Sequence, residues 1–66
     1  MRVMINGNGH ELPEGTSVAQ AVRALTEATR GVAVAVNDEV VRRGAWDSTA
    51  LAEGDRVEVL TAVQGG

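Results

Sequence analysis

Gly15-Thr16-Ser17-Val18-Ala19-Gln20-Ala21-Val22-Arg23-Ala24-Leu25-Thr26-Glu27-Ala28 is the stretch on which the fold turns. Val18, Ala21, Val22, Leu25 and Ala28 recur at the i, i+3, i+4 and i+7 spacing of one helical face. Gln20, Arg23 and Glu27 fall on the opposite side. Thr16 or Ser17 supplies an N-cap, because either hydroxyl can accept from an early helical N–H. Gly31 is the expected C-terminal stop. A helix apolar on one face only must cover another apolar surface, and the flanking sequence provides one in strands.

Downstream, Val32-Ala33-Val34-Ala35-Val36 alternates strictly, which predicts a strand with its valines turned to the helix. Asn37-Asp38-Glu39 reads as a turn and Val40-Val41 as a short strand. Arg42 to Ala52 looks irregular, with one helical turn expected around Asp47-Ser48-Thr49. Glu53-Gly54-Asp55 turns the chain again, and the last strand runs from Arg56 to about Val63. Upstream, Arg2 to Asn6 alternates, with Val3 and Ile5 on one face. Asn6-Gly7-Asn8-Gly9 is a dense hairpin signal, since Asn and Gly tolerate positive φ. The return strand is expected at about His10 to Pro13, with Leu12 inward and Pro13 ending it. With the first and last strands paired in the middle, this order predicts an α+β fold, a single mixed sheet with one main helix packed across one face. That is the ubiquitin-like β-grasp arrangement.

The totals restrict what such a domain can do. At 66 residues it holds one small core, with little room for an enclosed active site. Cysteine is absent, so there is no thiolate nucleophile, disulfide framework or Cys-based metal site. The opening residues lack a signal-peptide pattern and no stretch reaches transmembrane length, so a cytoplasmic location is expected, away from any membrane. Net charge is −3 and Trp46 is the sole aromatic residue, which argues against nucleic-acid binding. There is no lysine, so apart from the Met1 amine nothing here could be joined to an activated carboxyl.

Few side chains suggest chemistry. His10 is the single histidine, has no second imidazole or cysteine to form a ligand set, and reads as a solvated polar residue in a turn or at a strand start. Asp38-Glu39 and Glu53-Gly54-Asp55 lack calcium-loop spacing and read as solvated turn carboxylates, Asp55 also shaping its turn. Gly7-Asn8-Gly9 lacks the Gly-Lys-Ser/Thr run of a phosphate loop. No serine or threonine has a base suggested for it. Trp46 reads as packing at a core edge. No metal site is expected.

The last strand and the residues beyond it are more informative. With Val57, Val59, Thr61 and Val63 inward, Leu60 and Ala62 stand apolar on the outer face, a candidate dock for a partner. Gln64-Gly65-Gly66 then forms a tail beyond a domain spanning residues 1–63. Neither glycine has a Cβ, so such a tail can thread a narrow channel and expose its α-carboxylate.

Taken in order, several short pieces resemble the ThiS family of sulfur carrier proteins. They are the Asn6-Gly7 turn, Leu12-Pro13-Glu14-Gly15-Thr16-Ser17-Val18, Val34-Ala35-Val36-Asn37, and Val41, Arg43 and Trp46. Leu51, Gly54-Asp55-Arg56-Val57-Glu58 and Ala62-Val63-Gln64-Gly65-Gly66 complete the set. The resemblance implies a ubiquitin-like carrier in thiamine biosynthesis, not a catalyst. By that likeness Gly66 is the site of adenylation and of the thiocarboxylate, with Gly65 and Gln64 as its approach. The chain itself would bind no cofactor. ATP and Mg²⁺ would be used by a ThiF-like adenylyltransferase, a persulfide would be the sulfur donor, and thiazole synthase would receive the sulfur. The small subunit of molybdopterin synthase is a related alternative, and a ubiquitin-like protein modifier is another.

Overall fold

The computed structural model describes residues 1–27 and 30–61. Five strands and one helix come in the order β1 (Arg2–Ile5), β2 (Asn8–Glu11), α1 (Val18–Leu25), β3 (Val32–Val36), β4 (Glu39–Val41) and β5 (Arg56–Thr61). The strands form a single sheet ordered β2-β1-β5-β3-β4. β1 and β5 are parallel and every other neighbouring pair is antiparallel. The first and last strands therefore lie side by side in the middle of a mixed sheet, as the sequence predicts.

Both hairpins close through two left-handed residues. Asn6 (φ 51°) and Gly7 (φ 84°) join β1 to β2, and Asn37 (φ 51°) with Asp38 (φ 72°) joins β3 to β4. Positive φ at both central positions matches the right-handed twist of the strands. The first turn is shorter than the four-residue reading of Asn6 to Gly9. Ile5 pairs directly with Asn8, so β2 begins at Asn8 and not at His10. Leu12 lies just past the strand, half-buried against the core.

Helix α1 starts where its cap dictates. The Ser17 hydroxyl accepts from the Gln20 N–H at 3.1 Å, while the Gln20 side-chain oxygen accepts from the Ser17 N–H at 2.9 Å. This reciprocal box satisfies two donors together. The neighbouring N–H groups are met by the segment after β4: Val18 donates to the Thr49 carbonyl at 2.8 Å and Ala19 to the Trp46 carbonyl at 3.2 Å. That segment holds a short 3-10 turn at Arg43–Ala45, not the expected one around Asp47–Thr49. The carbonyls of Trp46 and Thr49 are committed to the helix instead. The helix also ends earlier than its periodicity predicts. Thr26 is extended (φ −148°, ψ 147°), so Gly31, although left-handed at φ 69°, is not the stop.

The core lies between α1 and the inner face of the sheet. Val3, Ile5, Val34, Val57 and Val59 meet Val18, Ala19, Ala21 and Val22, with Leu51 and Trp46 closing one side. Trp46 is 7 % exposed and its indole N–H donates to the Val41 carbonyl at 2.8 Å, so it is buried with its polar group satisfied. The buried helical set stops at Val22, which leaves Leu25 42 % exposed rather than in the core. Ala28 lies outside the described residues. No helix among them is long and apolar enough to cross a membrane. Replacing Ser17 by alanine removes half of the capping box and should destabilise the fold by about 1 kcal/mol. A lower urea midpoint with an unchanged slope would register that loss.

Candidate functional site

β5 has neighbours on both sides, β1 on one and β3 on the other, and it leads directly into the tail. Its alternation sorts side chains cleanly. Val57 and Val59 are buried under α1, while Arg56, Glu58 and Leu60 stand on the open face. Leu60 is 70 % exposed, as expected of an outer-face residue. Thr61, expected inward, is exposed at the end of the strand. Ala62, Gln64, Gly65 and Gly66 lie outside the described residues.

Register shows what surrounds Leu60. Ala33 of β3 lies directly opposite it, and Ala35 lies opposite Glu58 and, on its other side, Val40. Residues directly opposite in an antiparallel pair share a face. Leu60, Ala33, Ala35 and Val40 therefore form one apolar area on the open face, with Val40 82 % exposed. The outward setting of Ala33 and Ala35 was already implicit in the alternation of Val32 to Val36. Val40 was not found from sequence, because a Val-Val pair gives no alternation to orient it.

The other end of this face is charged. Arg56 is paired with Asp38 at 2.8 Å, and Arg2 lies 3.8 Å from Glu11. The hydrogen bond from the Arg56 guanidinium, reinforced by its charge, holds the Asp38 carboxyl below its ordinary value of 3.8. Leu60 thus faces Ala33 across the strand pair, with Ala35 and Val40 one step toward the strand start and the ion pairs beyond them. Such a face, with an apolar centre and a polar margin, suits protein docking.

The remaining side chains with chemical potential are dispersed. His10 is half-buried on β2, opposite Val3. Asp55 shapes its turn as expected: one carboxylate oxygen accepts from the Ala52 N–H at 2.8 Å. No group of three or more histidine or acidic residues gathers among the described residues. A groove of about 450 Å³ runs between α1 and the Trp46 segment, with Arg43 stacked 4.9 Å from the Trp46 ring centre. It lies on the helix side of the molecule, away from Leu60.

The match to known proteins runs the length of the chain. The model of the ThiS family fits residues 3–66, through the terminal glycines. The chain belongs to the ThiS family. It is 24 % identical to the sulfur carrier protein ThiS of Escherichia coli over the whole of both chains. It is 35 % identical to a protein of Magnetococcus marinus named thiazole synthase, where the match takes in all of this chain but spans only 20 % of that protein. The crystal structure of the thiamine biosynthesis protein ThiS from Geobacter metallireducens superposes with a TM-score of 0.81 at 35 % identity, covering both chains fully. The solution structure from that organism gives 0.82 at 35 % identity, covering all of this chain and 88 % of the other.

The charged end of the face has a defined pH behaviour. Because the folded Asp38 value lies below the unfolded one, the pair stabilises the fold above about pH 4 and loses that effect as pH falls through the folded value. Asp38→Asn tolerates the same left-handed backbone, so it should lower the urea midpoint slightly at pH 7 and not at about pH 2. Both side chains are exposed, so added salt should shrink the difference further.

Proposed function

We propose that this chain is a sulfur carrier of thiamine biosynthesis, acting in the cytoplasm, whose reactive group is the Gly66 α-carboxylate. The observation that carries this reading is the family match running through Gly66, on a chain whose central strand feeds the tail. The chain is a substrate and a donor here and not the catalyst. A free carboxylate is a poor electrophile and must first be activated. In a ThiF-like adenylyltransferase that binds ATP and Mg²⁺, a Gly66 carboxylate oxygen attacks the α-phosphorus and pyrophosphate leaves. The terminal sulfur of a persulfide then attacks the carbonyl carbon and AMP leaves. A thiol then attacks the persulfide-derived sulfur–sulfur bond of the resulting acyl disulfide, which leaves the thiocarboxylate on Gly66 and a disulfide between the thiol and the donor. Thiazole synthase takes the sulfur. The presence of a similar stretch within a protein named thiazole synthase supports placing carrier and synthase together.

Gly65 and Gln64 form the narrow approach to Gly66. Leu60, with Ala62 beyond it on the same strand pattern, anchors the docking face. The rigid sheet sets where the partner binds, and the tail reaches into its active site.

Intact mass after incubation with the adenylyltransferase, ATP, Mg²⁺ and a persulfide donor should rise by the difference between one sulfur and one oxygen atom. Isopeptide-linked adducts would instead indicate a protein modifier, and an unchanged mass beside a competent partner would refute the carrier reading. Removal of Gly66 should abolish transfer and leave Tm nearly unchanged, because a tail outside the core buries little. Leu60→Glu should weaken binding to the adenylyltransferase by about tenfold or more while the far-UV circular dichroism stays that of the parent. Equal affinity would remove Leu60 from the interface.

A further inference from the structure

β1 and β5 pair at only two register positions, Met4 with Arg56 and Ile5 with Val57. β5 continues to Thr61, and on its other side β3 accompanies it the whole way, Val32 lying opposite Thr61. On the β1 side the main chain leaves at the Asn6-Gly7 turn, just after the Asn6 N–H donates to the Val57 carbonyl at 2.9 Å. A strand that ran straight on would next bond the N–H and the carbonyl of Val59. The Asn6 side chain takes that place. Its Nδ2 donates to the Val59 carbonyl at 3.1 Å, and the Val59 N–H donates to its Oδ1 at 2.8 Å. A primary amide carries a donor and an acceptor in one plane, as a peptide group does, so it can finish a ladder that the backbone has abandoned.

We propose that Asn6 is a positioning residue for the tail, its amide fixing the direction in which β5 delivers Gly66 to the activating enzyme. This role rests on the sulfur-carrier reading. Val59 is the last position held from the β1 side by Asn6, two residues before the end of β5. The five residues after Thr61 span at most about 17 Å when extended. A change of roughly 10° in the direction of β5 would therefore shift the far carboxylate by about 3 Å, and misplacement by about 1 Å can slow a reaction a hundredfold. Asn37 is the matched contrast. It is left-handed at the same φ of 51°, but its amide braces the opposite end of β5: Oδ1 accepts from the Arg56 N–H at 3.0 Å and Nδ2 donates to Asp55 at 3.0 Å.

Asn6→Gly and Asn37→Gly each keep the positive φ and remove one amide. Backbone hydrogen exchange, thermal melting and pyrophosphate exchange with a ThiF-like adenylyltransferase would be measured on both and on the parent chain. In Asn6→Gly the Val59 amide should exchange at least about tenfold faster relative to that of Val57. Its kcat for adenylation should fall about tenfold while KM for the carrier moves less than about threefold. Asn37→Gly should lower Tm comparably and leave kcat at the parent value. An unchanged kcat in Asn6→Gly, whether or not Val59 exchanges faster, would overturn the role. So would an equal loss of kcat in Asn37→Gly, which would mark the effect as general destabilisation. A parent chain that is not adenylated at all would instead refute the carrier reading, and this role with it.

Discussion

Parallel pairing of the first strand with the last is the constraint on which the rest of the structure depends. It joins residues more than fifty positions apart through two register pairs only, and hydrogen bonds at its margins lengthen it. Met4 donates to the Asp55 carbonyl at one end, and the Asn6 amide holds Val59 at the other. The loop entering β5 is tied to β1 as well: Arg2 donates to the Glu53 side chain and Gly54 donates to the Arg2 carbonyl. Closing so long a loop costs entropy that the pairing alone does not offset. Burial of Val3, Ile5, Val57 and Val59 beneath one helix supplies the difference, since apolar burial dominates the folding balance.

The helix, in turn, depends on the segment that looks least regular. An eight-residue helix is too short to persist alone, and its unpaired N-terminal donors must find partners. Ser17 and Gln20 satisfy some of them locally, while the carbonyls of Trp46 and Thr49 satisfy others from far along the chain. Leu51 then donates to the Thr16 carbonyl, so the same segment is bound back to the start of the helix. Trp46 is buried because its backbone is already held there. The indole covers the edge of the core and places its N–H on Val41. The Arg42 to Ala52 stretch is thus the mortar between helix and sheet.

Fold class was legible in the sequence because two periods do not overlap. Val32 to Val36 has a period of two, Val18 to Val22 has a helical one, and turn residues separate them. Boundaries were less legible, for local reasons. The Asn6 to Gly9 cluster contains more turn-forming residues than the turn uses, so β2 started earlier than expected. The helical period continues to Ala28, but periodicity does not register that Thr26 goes extended, and Leu25 is exposed as a result. On the open face, Leu60 could be placed by alternation alone. Val40 and the Asn6 amide could not, since both depend on partners brought close only by the finished sheet.

The two faces of the sheet divide the work of the molecule. The inner face is filled and its polar groups are matched, with no buried side-chain nitrogen or oxygen among the described residues lacking a partner. The outer face leaves Leu60 and Val40 to solvent, although a domain this small has little apolar surface to spare. Burying them in the monomer would require a second layer. Leaving them open keeps the tail-bearing strand accessible along its whole outer side. On the carrier role proposed above, docking first on an activating enzyme and then on an acceptor would be better served by one reusable face than by a closed sandwich. Asn6 extends that economy to the backbone: it completes the sheet beside Val59 with a side chain, so no further strand need crowd the end from which the tail departs.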